Sequence, residues 1–260
     1  TAARSFAPLL IGMAMTIVEI PMMAIAMPWI GADLNLGTGA LALIAGAYPL
    51  VVAMLLLPAG RAGDRYGRRR IFLAGGLLFM TGAMLSALAP GPELLAGARM
   101  VQAVGAAALA PQALAMIPRI FAPASQTGAF ARLAMTGSVA SVCGPLLAGA
   151  LLGTAPGWLG WRAIFLAEAA LALVVMGLAA KRLAPDAAAR SSAGRPAEIA
   201  SFAAIILCLV APLSLGPAFG WPMPVFLLLA AILPCAAIFV RLTARAGTAA
   251  LVPPALLHTP

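Results

Sequence analysis

The chain has 260 residues, of which 63% are hydrophobic and only 9% charged, against roughly 25% charged in soluble domains. A soluble fold of this size could not cover itself with so little polar surface, which excludes an ordinary soluble enzyme, a nucleic-acid-binding domain and a disordered chain. The formal net charge of +9 does not point back to nucleic acid, because the basic residues form short clusters between apolar runs.

At roughly 20 residues per membrane span, the apolar content suffices for about eight spans. Eight helices are predicted in chain order: Phe6 to Ile30, Leu41 to Ala59, Ile71 to Ala89, Leu94 to Ile117, Gly128 to Leu152, Ala163 to Ala180, Ile199 to Phe219 and Val225 to Leu242. The runs are long and continuous, without the ten-residue alternation of membrane strands. The fold class is therefore an all-α polytopic transmembrane bundle. Arg4, the Arg61–Arg70 cluster, Arg119 with Arg132, the Lys181–Arg195 stretch, and Arg241 with Arg245 fall at alternate junctions. The opposite junctions carry Asp33, Glu93 and Arg162. This asymmetry predicts a cytoplasmic N-terminus and an inner-membrane, multi-pass location.

Lys181 to Glu198 is the longest polar link and the one plausible domain boundary, read as a mobile cytoplasmic linker. The three cysteines are far apart in apolar runs, and the single histidine is His258. No metal site, cofactor site or catalytic triad is expected from them. No nucleophile–base set and no nucleotide-binding glycine loop after a strand occurs either, so an enzyme is not expected.

The most specific motif is Gly60-Arg61-Ala62-Gly63-Asp64-Arg65-Tyr66-Gly67-Arg68-Arg69-Arg70. Its glycines suit a tight turn between two helices, and Asp64 is placed to cap the next helix or to pair with an arginine. A basic loop that only sets topology explains the arginines but not the Gly-x-x-x-Asp-Arg-x-Gly-Arg-Arg spacing. That spacing resembles the signature loop of the major facilitator superfamily, which joins its second and third helices. Arg99-Met100-Val101-Gln102-Ala103 resembles the family's fourth-helix motif, with Ala103 where Gly is usual. Gly144-Pro145-Leu146-Leu147-Ala148-Gly149 resembles the fifth-helix antiporter motif, with Ala148 in place of one Gly. Ala26 to Leu34 and Trp161 to Phe165 resemble the end of the first helix and the start of the sixth in the fourteen-span drug:proton antiporters.

The resemblance implies a six-helix transporter half over 1–182, a linker over 183–197, two additional central helices over 198–245 and the start of a further segment over 246–260. It implies the N-terminal part of a longer, proton-coupled drug exporter whose C-terminal half is missing here. The chain begins at Thr1 rather than Met, so its first residues are expected to be missing as well. The partners it implies are the lipid bilayer, protons and a small-molecule substrate. Glu19, inside the first span where a charge is costly, and Arg99 are the expected proton-coupling residues. Glu168, seven residues into the sixth span where the group commonly has Asn, is a second titratable group or a site for cationic drugs. Met15, Met22, Gln102 and Gln112 are expected on the substrate cavity. Gly60, Asp64, Arg65, Gly67 and Arg68 are expected to gate the cytoplasmic side. Gly144, Pro145 and Gly149 are expected to seal the fifth helix through close packing, with Pro145 bending it. Two other readings remain open at this point: a facilitator that imports a metabolite, and a truncated membrane scaffold or sensor that transports nothing.

Overall fold

A computed structural model describes residues 2–185 and 196–246. Among them are nine helices and no strand: α1 (Ala2–Asp33), α2 (Thr38–Tyr66), α3 (Arg68–Ala87), α4 (Pro92–Ile120), α5 (Pro123–Thr154), α6 (Arg162–Arg182), α7 (Pro196–Phe219), α8 (Met223–Ala230) and α9 (Ile232–Ala246). Eight segments are long and apolar enough to cross a membrane, α8 and α9 together forming the eighth. Most of the linker expected over 183–197 and nearly all of the segment 246–260 lie outside the described residues, as do Arg190, Arg195 and His258.

Most helices outrun their apolar stretches, as expected where the backbone has no water to bond and must satisfy itself within the helix. Pro92 and Pro123 stand at the starts of α4 and α5, where a missing N–H costs nothing. The eighth span is not the single helix expected from its sequence. It breaks at Ala231, and Pro234 supplies the reason: without an N–H it cannot close the bond to the carbonyl of residue 230.

A second correction concerns the glycine–arginine motif. Gly60 to Tyr66, expected to form a turn, are the last turns of α2. Gly67 is the single residue between α2 and α3, with φ of 97°, a backbone region open to glycine and strained for other residues. Its N–H donates to the Gly63 carbonyl at 3.0 Å, and its own carbonyl accepts from the Ile71 N–H at 3.1 Å. Asp64 does not cap α3. Its carboxylate pairs with Arg68 across the joint.

α4 packs against α1, α2 and α3, and α1 also packs against α5 and α6. The tightest crossing is α3 on α4, and small residues make it possible. A Cβ on Gly75 would stand 2.8 Å from the Ala108 Cβ and 2.9 Å from the Gly105 carbonyl oxygen. Gly105 in turn lies against the Phe79 backbone, and Gly82 against that of Gln102. Such contacts do in the membrane what apolar burial does in water. α7 lies along α2, and α9 packs on α7.

Two apolar cores result. One contains Phe6, Leu9, Met15, Phe72, Phe79 and Ala172. The other contains Met22, Ile30, Leu95, Trp161, Ile164 and Phe165. Residues 99 and 102 of α4 and residue 168 of α6 fall between them in sequence, and residue 19 of α1 follows Val18 at the near edge of the second core, so a buried charged layer lies where the two cores meet.

Candidate functional site

The charged layer is drawn from four helices. Glu19 stands near the middle of α1, Tyr48 on α2, Arg99 and Gln102 on α4, and Glu168 on α6. Arg99 and Gln102 are three residues apart and share a helix face. All five side chains are buried, none exposed by more than 3%. A charge so placed must be compensated locally.

The compensation is specific. Arg99 Nη1 pairs with Glu19 Oε1. The guanidinium also lies over the Tyr48 ring, 5.0 Å from its centroid, in a position for cation–π attraction. The Tyr48 hydroxyl donates to the Thr16 carbonyl at 3.2 Å. Gln102 Nε2 donates to Glu168 Oε2 at 2.7 Å, and Glu168 lies within electrostatic reach of Arg99. Glu19 Oε2, Arg99 Nε and Glu168 Oε1 find no hydrogen-bond partner among the described residues. Two carboxyls thus face one guanidinium, with polar capacity to spare.

A concavity of about 490 Å³ opens beside this layer. α1 contributes Thr16, Ile17 and Pro21, α2 contributes Tyr48 and Pro49, and α5 contributes Ser141. Tyr48 therefore touches both the cavity and the charged layer. The four residues expected on the cavity lie elsewhere. Met15 and Met22 are buried in the two apolar cores, on either side of Glu19. Gln102 is committed to Glu168. Gln112 is fully buried and donates to the Ala59 carbonyl at 2.9 Å. Spacing cannot separate these faces, because α1 and α4 are apolar all round.

The remaining expected residues divide into three groups. Gly60, Asp64 and Arg68 line a shallow hollow of about 380 Å³ together with Arg61, Pro111 and Phe202. Gly63 leaves the space that Gln112 occupies. Arg65 is exposed and stacks over Tyr66, 5.2 Å from the ring centroid. On α5, a Cβ at Gly144 would stand 2.8 Å from Pro21 Cγ and 3.0 Å from the Val18 carbonyl oxygen of α1. Gly144 thus lets α5 approach α1 next to Glu19. Pro145 lies inside α5, which continues as helix to Thr154. Gly149 departs from the expected close packing: it is exposed and, like Gly153, meets nothing within 4 Å of an added Cβ among the described residues.

Two features were not singled out from sequence. Tyr48 is one, and the signal was available: a tyrosine inside an apolar run needs a partner for its hydroxyl. The other is a clasp at the opposite end of the bundle from Gly67. Asp33 Oδ2 accepts from Trp161 Nε1 and from Arg162 Nη1, each at 2.9 Å. Arg162 Nη2 donates to the Ala89 carbonyl at 3.3 Å, and the guanidinium lies 4.3 Å from the Trp161 ring centroid. The clasp ties the end of α1 to the α3–α4 turn and to the start of α6.

Comparison with known proteins agrees with this architecture. The sequence profile of the Major Facilitator Superfamily matches residues 6–252. The chain is 32% identical over 221 residues to the probable actinorhodin transporter of Streptomyces coelicolor, covering 84% of this chain and 38% of that protein. It is 37% identical over 170 residues to the multidrug efflux pump LfrA of Mycolicibacterium smegmatis, covering 65% of this chain and 33% of that protein. The chain thus spans well under half the length of these curated relatives. Among solved structures, a bacterial homologue of the human lysosomal transporter Spinster, inward-facing and unoccupied, superposes with a TM-score of 0.66. It shares 18% identity, with coverage of 84% of this chain and 55% of that one.

Proposed function

From the premise that the chain belongs to the major facilitator superfamily, we propose that it is the N-terminal part of a proton-coupled exporter of lipophilic drugs or similar small molecules. Relatives named for drug efflux or antibiotic resistance support the substrate class, among them LfrA and the lincomycin resistance protein of Streptomyces lincolnensis. In this reading residues 1–182 are one six-helix half and 198–245 the two additional central helices. The N-terminus and the Arg-rich junctions lie in the cytoplasm.

The observation that carries the proposal is the buried trio of Glu19, Arg99 and Glu168 beside an apolar concavity. With both carboxyls ionised, the trio carries one net negative charge. One proton cancels it, and so does one cationic substrate near Tyr48. Occupancy by proton and by substrate are then alternatives, which is the requirement for exchange. The half that would close the substrate path is supplied by the rest of the transporter. Asp64 and Arg68 hold the α2–α3 joint on the cytoplasmic side in one state of the cycle. The membrane potential adds about 2.3 kcal/mol per charge per 100 mV.

The test is Glu19→Gln in the full-length transporter, in everted vesicles loaded with a fluorescent lipophilic cation under an imposed pH gradient. The reading expects loss of gradient-driven transport with substrate binding retained. Normal proton-driven export would overturn it.

A further inference from the structure

On the outer face of the bundle, α3 and α6 leave an open apolar groove of about 490 Å³. α3 lines it with Leu73, Ala74 and Leu77, and α6 with Leu173 and Gly177. Close approach of the two helices forms its floor, since a Cβ on Gly76 would stand 2.7 Å from Met176 Cγ. Gly177 has nothing within 4 Å of an added Cβ among the described residues. The groove owes part of its depth to that missing side chain.

One end of the groove runs into positive charge. Side chains four residues apart on a helix stand one above the other. Arg69 and Arg70 therefore sit one turn beyond Leu73 and Ala74, and Lys181 one turn beyond Gly177. Arg69 Nη2 donates to the carbonyl of Ala180 at 2.8 Å, and Ala180 itself lines the groove. Arg70, Lys181 and Arg182 are exposed around that contact. No acidic residue occurs in the first two turns of α3 or the last three of α6. Asp64, the nearby acid at the end of α2, is engaged with Arg68.

Both helices are long and apolar enough to cross a membrane, so in a bilayer this open face is available to lipid. An apolar channel that ends in a cluster of cations matches a molecule with a long hydrocarbon chain and an anionic head. We propose that the α3–α6 groove is a binding site for one anionic phospholipid, with an acyl chain along Leu73, Leu77 and Gly177 and the phosphate at Arg69, Arg70 and Lys181. A zwitterionic lipid fills the groove equally well but gains less at the head, where each basic residue contributes about a fivefold preference for the anionic lipid.

The experiment is native mass spectrometry of the purified protein in detergent, titrated with phosphatidylglycerol or phosphatidylcholine of identical chains. The proposal expects one phosphatidylglycerol retained in preference to phosphatidylcholine. Replacing both Arg70 and Lys181 with Ala should cut that preference about 25-fold. Gly177→Leu, which fills the groove and leaves the charges, should weaken both lipids. Arg245→Ala, on α9 and away from the groove, should change neither. Equal retention of the two lipids overturns the proposal. So does an Arg245→Ala effect as large as that of the Arg70 and Lys181 pair, since attraction would then be diffuse. An unaltered preference in the Arg70 and Lys181 double variant overturns it as well.

Discussion

Arg99→Met is the most informative perturbation of the charged layer. Met keeps much of the aliphatic stem and removes the guanidinium, which is 1% exposed, pairs with Glu19 and lies over Tyr48. Glu19, itself fully buried, is then left without its cation. Breaking a buried ion pair from one side costs about 3–5 kcal/mol. At roughly 2–4 °C per kcal/mol for a chain of this length, the midpoint should fall by about 6–20 °C. Glu19→Gln alone should cost less, because Arg99 keeps Glu168 within reach. Adding Glu19→Gln to Arg99→Met removes the orphaned charge, so the double variant should be more stable than Arg99→Met alone. The assay is thermal unfolding in detergent, followed by the fluorescence of the four tryptophans. A midpoint for Arg99→Met within about 2 °C of the parent would refute the reasoning. Additive losses in the double variant would refute it equally.

Other outcomes follow from the same geometry. Glu168→Gln in the full-length transporter should flatten the pH dependence of transport while stability changes little, because an amide still accepts from Gln102; an unchanged pH profile would remove Glu168 from the proton path. Gly105→Leu should lower the thermal midpoint and the folded yield, by about 1–3 kcal/mol or more, since the new side chain meets the Phe79 backbone rather than a flexible group. Gly149→Leu, facing open space, should be tolerated in the same assay. Asp33→Asn should cost at most about 1 kcal/mol, because the carboxylate is 48% exposed, and the loss should shrink at high salt.

Charge and length carried most of the fold into the sequence. Each apolar run became a membrane-length segment, and Glu19 and Glu168 stood out because an acid inside such a run is costly. Facing was not legible. A soluble amphipathic helix shows its buried side by contrast with a polar one, whereas helices here meet either lipid or other apolar helices. Met15 and Met22, expected on the substrate cavity, lie in the apolar cores, while Thr16, Ile17 and Pro21 line the concavity beside the charged layer. The contacts that set the packing are also silent in sequence. Gly75 and Gly82 carry no side chain, and their role exists only in what lies opposite them. The helical course of Gly60 to Tyr66 was obscured because glycine and charge read as a turn, while the backbone ladder continues to Gly67.

The joint at Gly67 has a mechanical consequence. α2 and α3 are helices of 29 and 20 residues that meet at a single pair of soft torsions. A loop of several residues would absorb a tilt of one helix without telling the other. A single-residue coupling has little slack, and the ladder bonds on either side of Gly67 leave less. Rotation of α2 must therefore turn α3 or break the Asp64–Arg68 strut. Because α3 is meshed with α4 through backbone-close glycines, the three helices behave as one gear train. The crossing of Gly82 on Gln102 then links the joint to the level of Arg99.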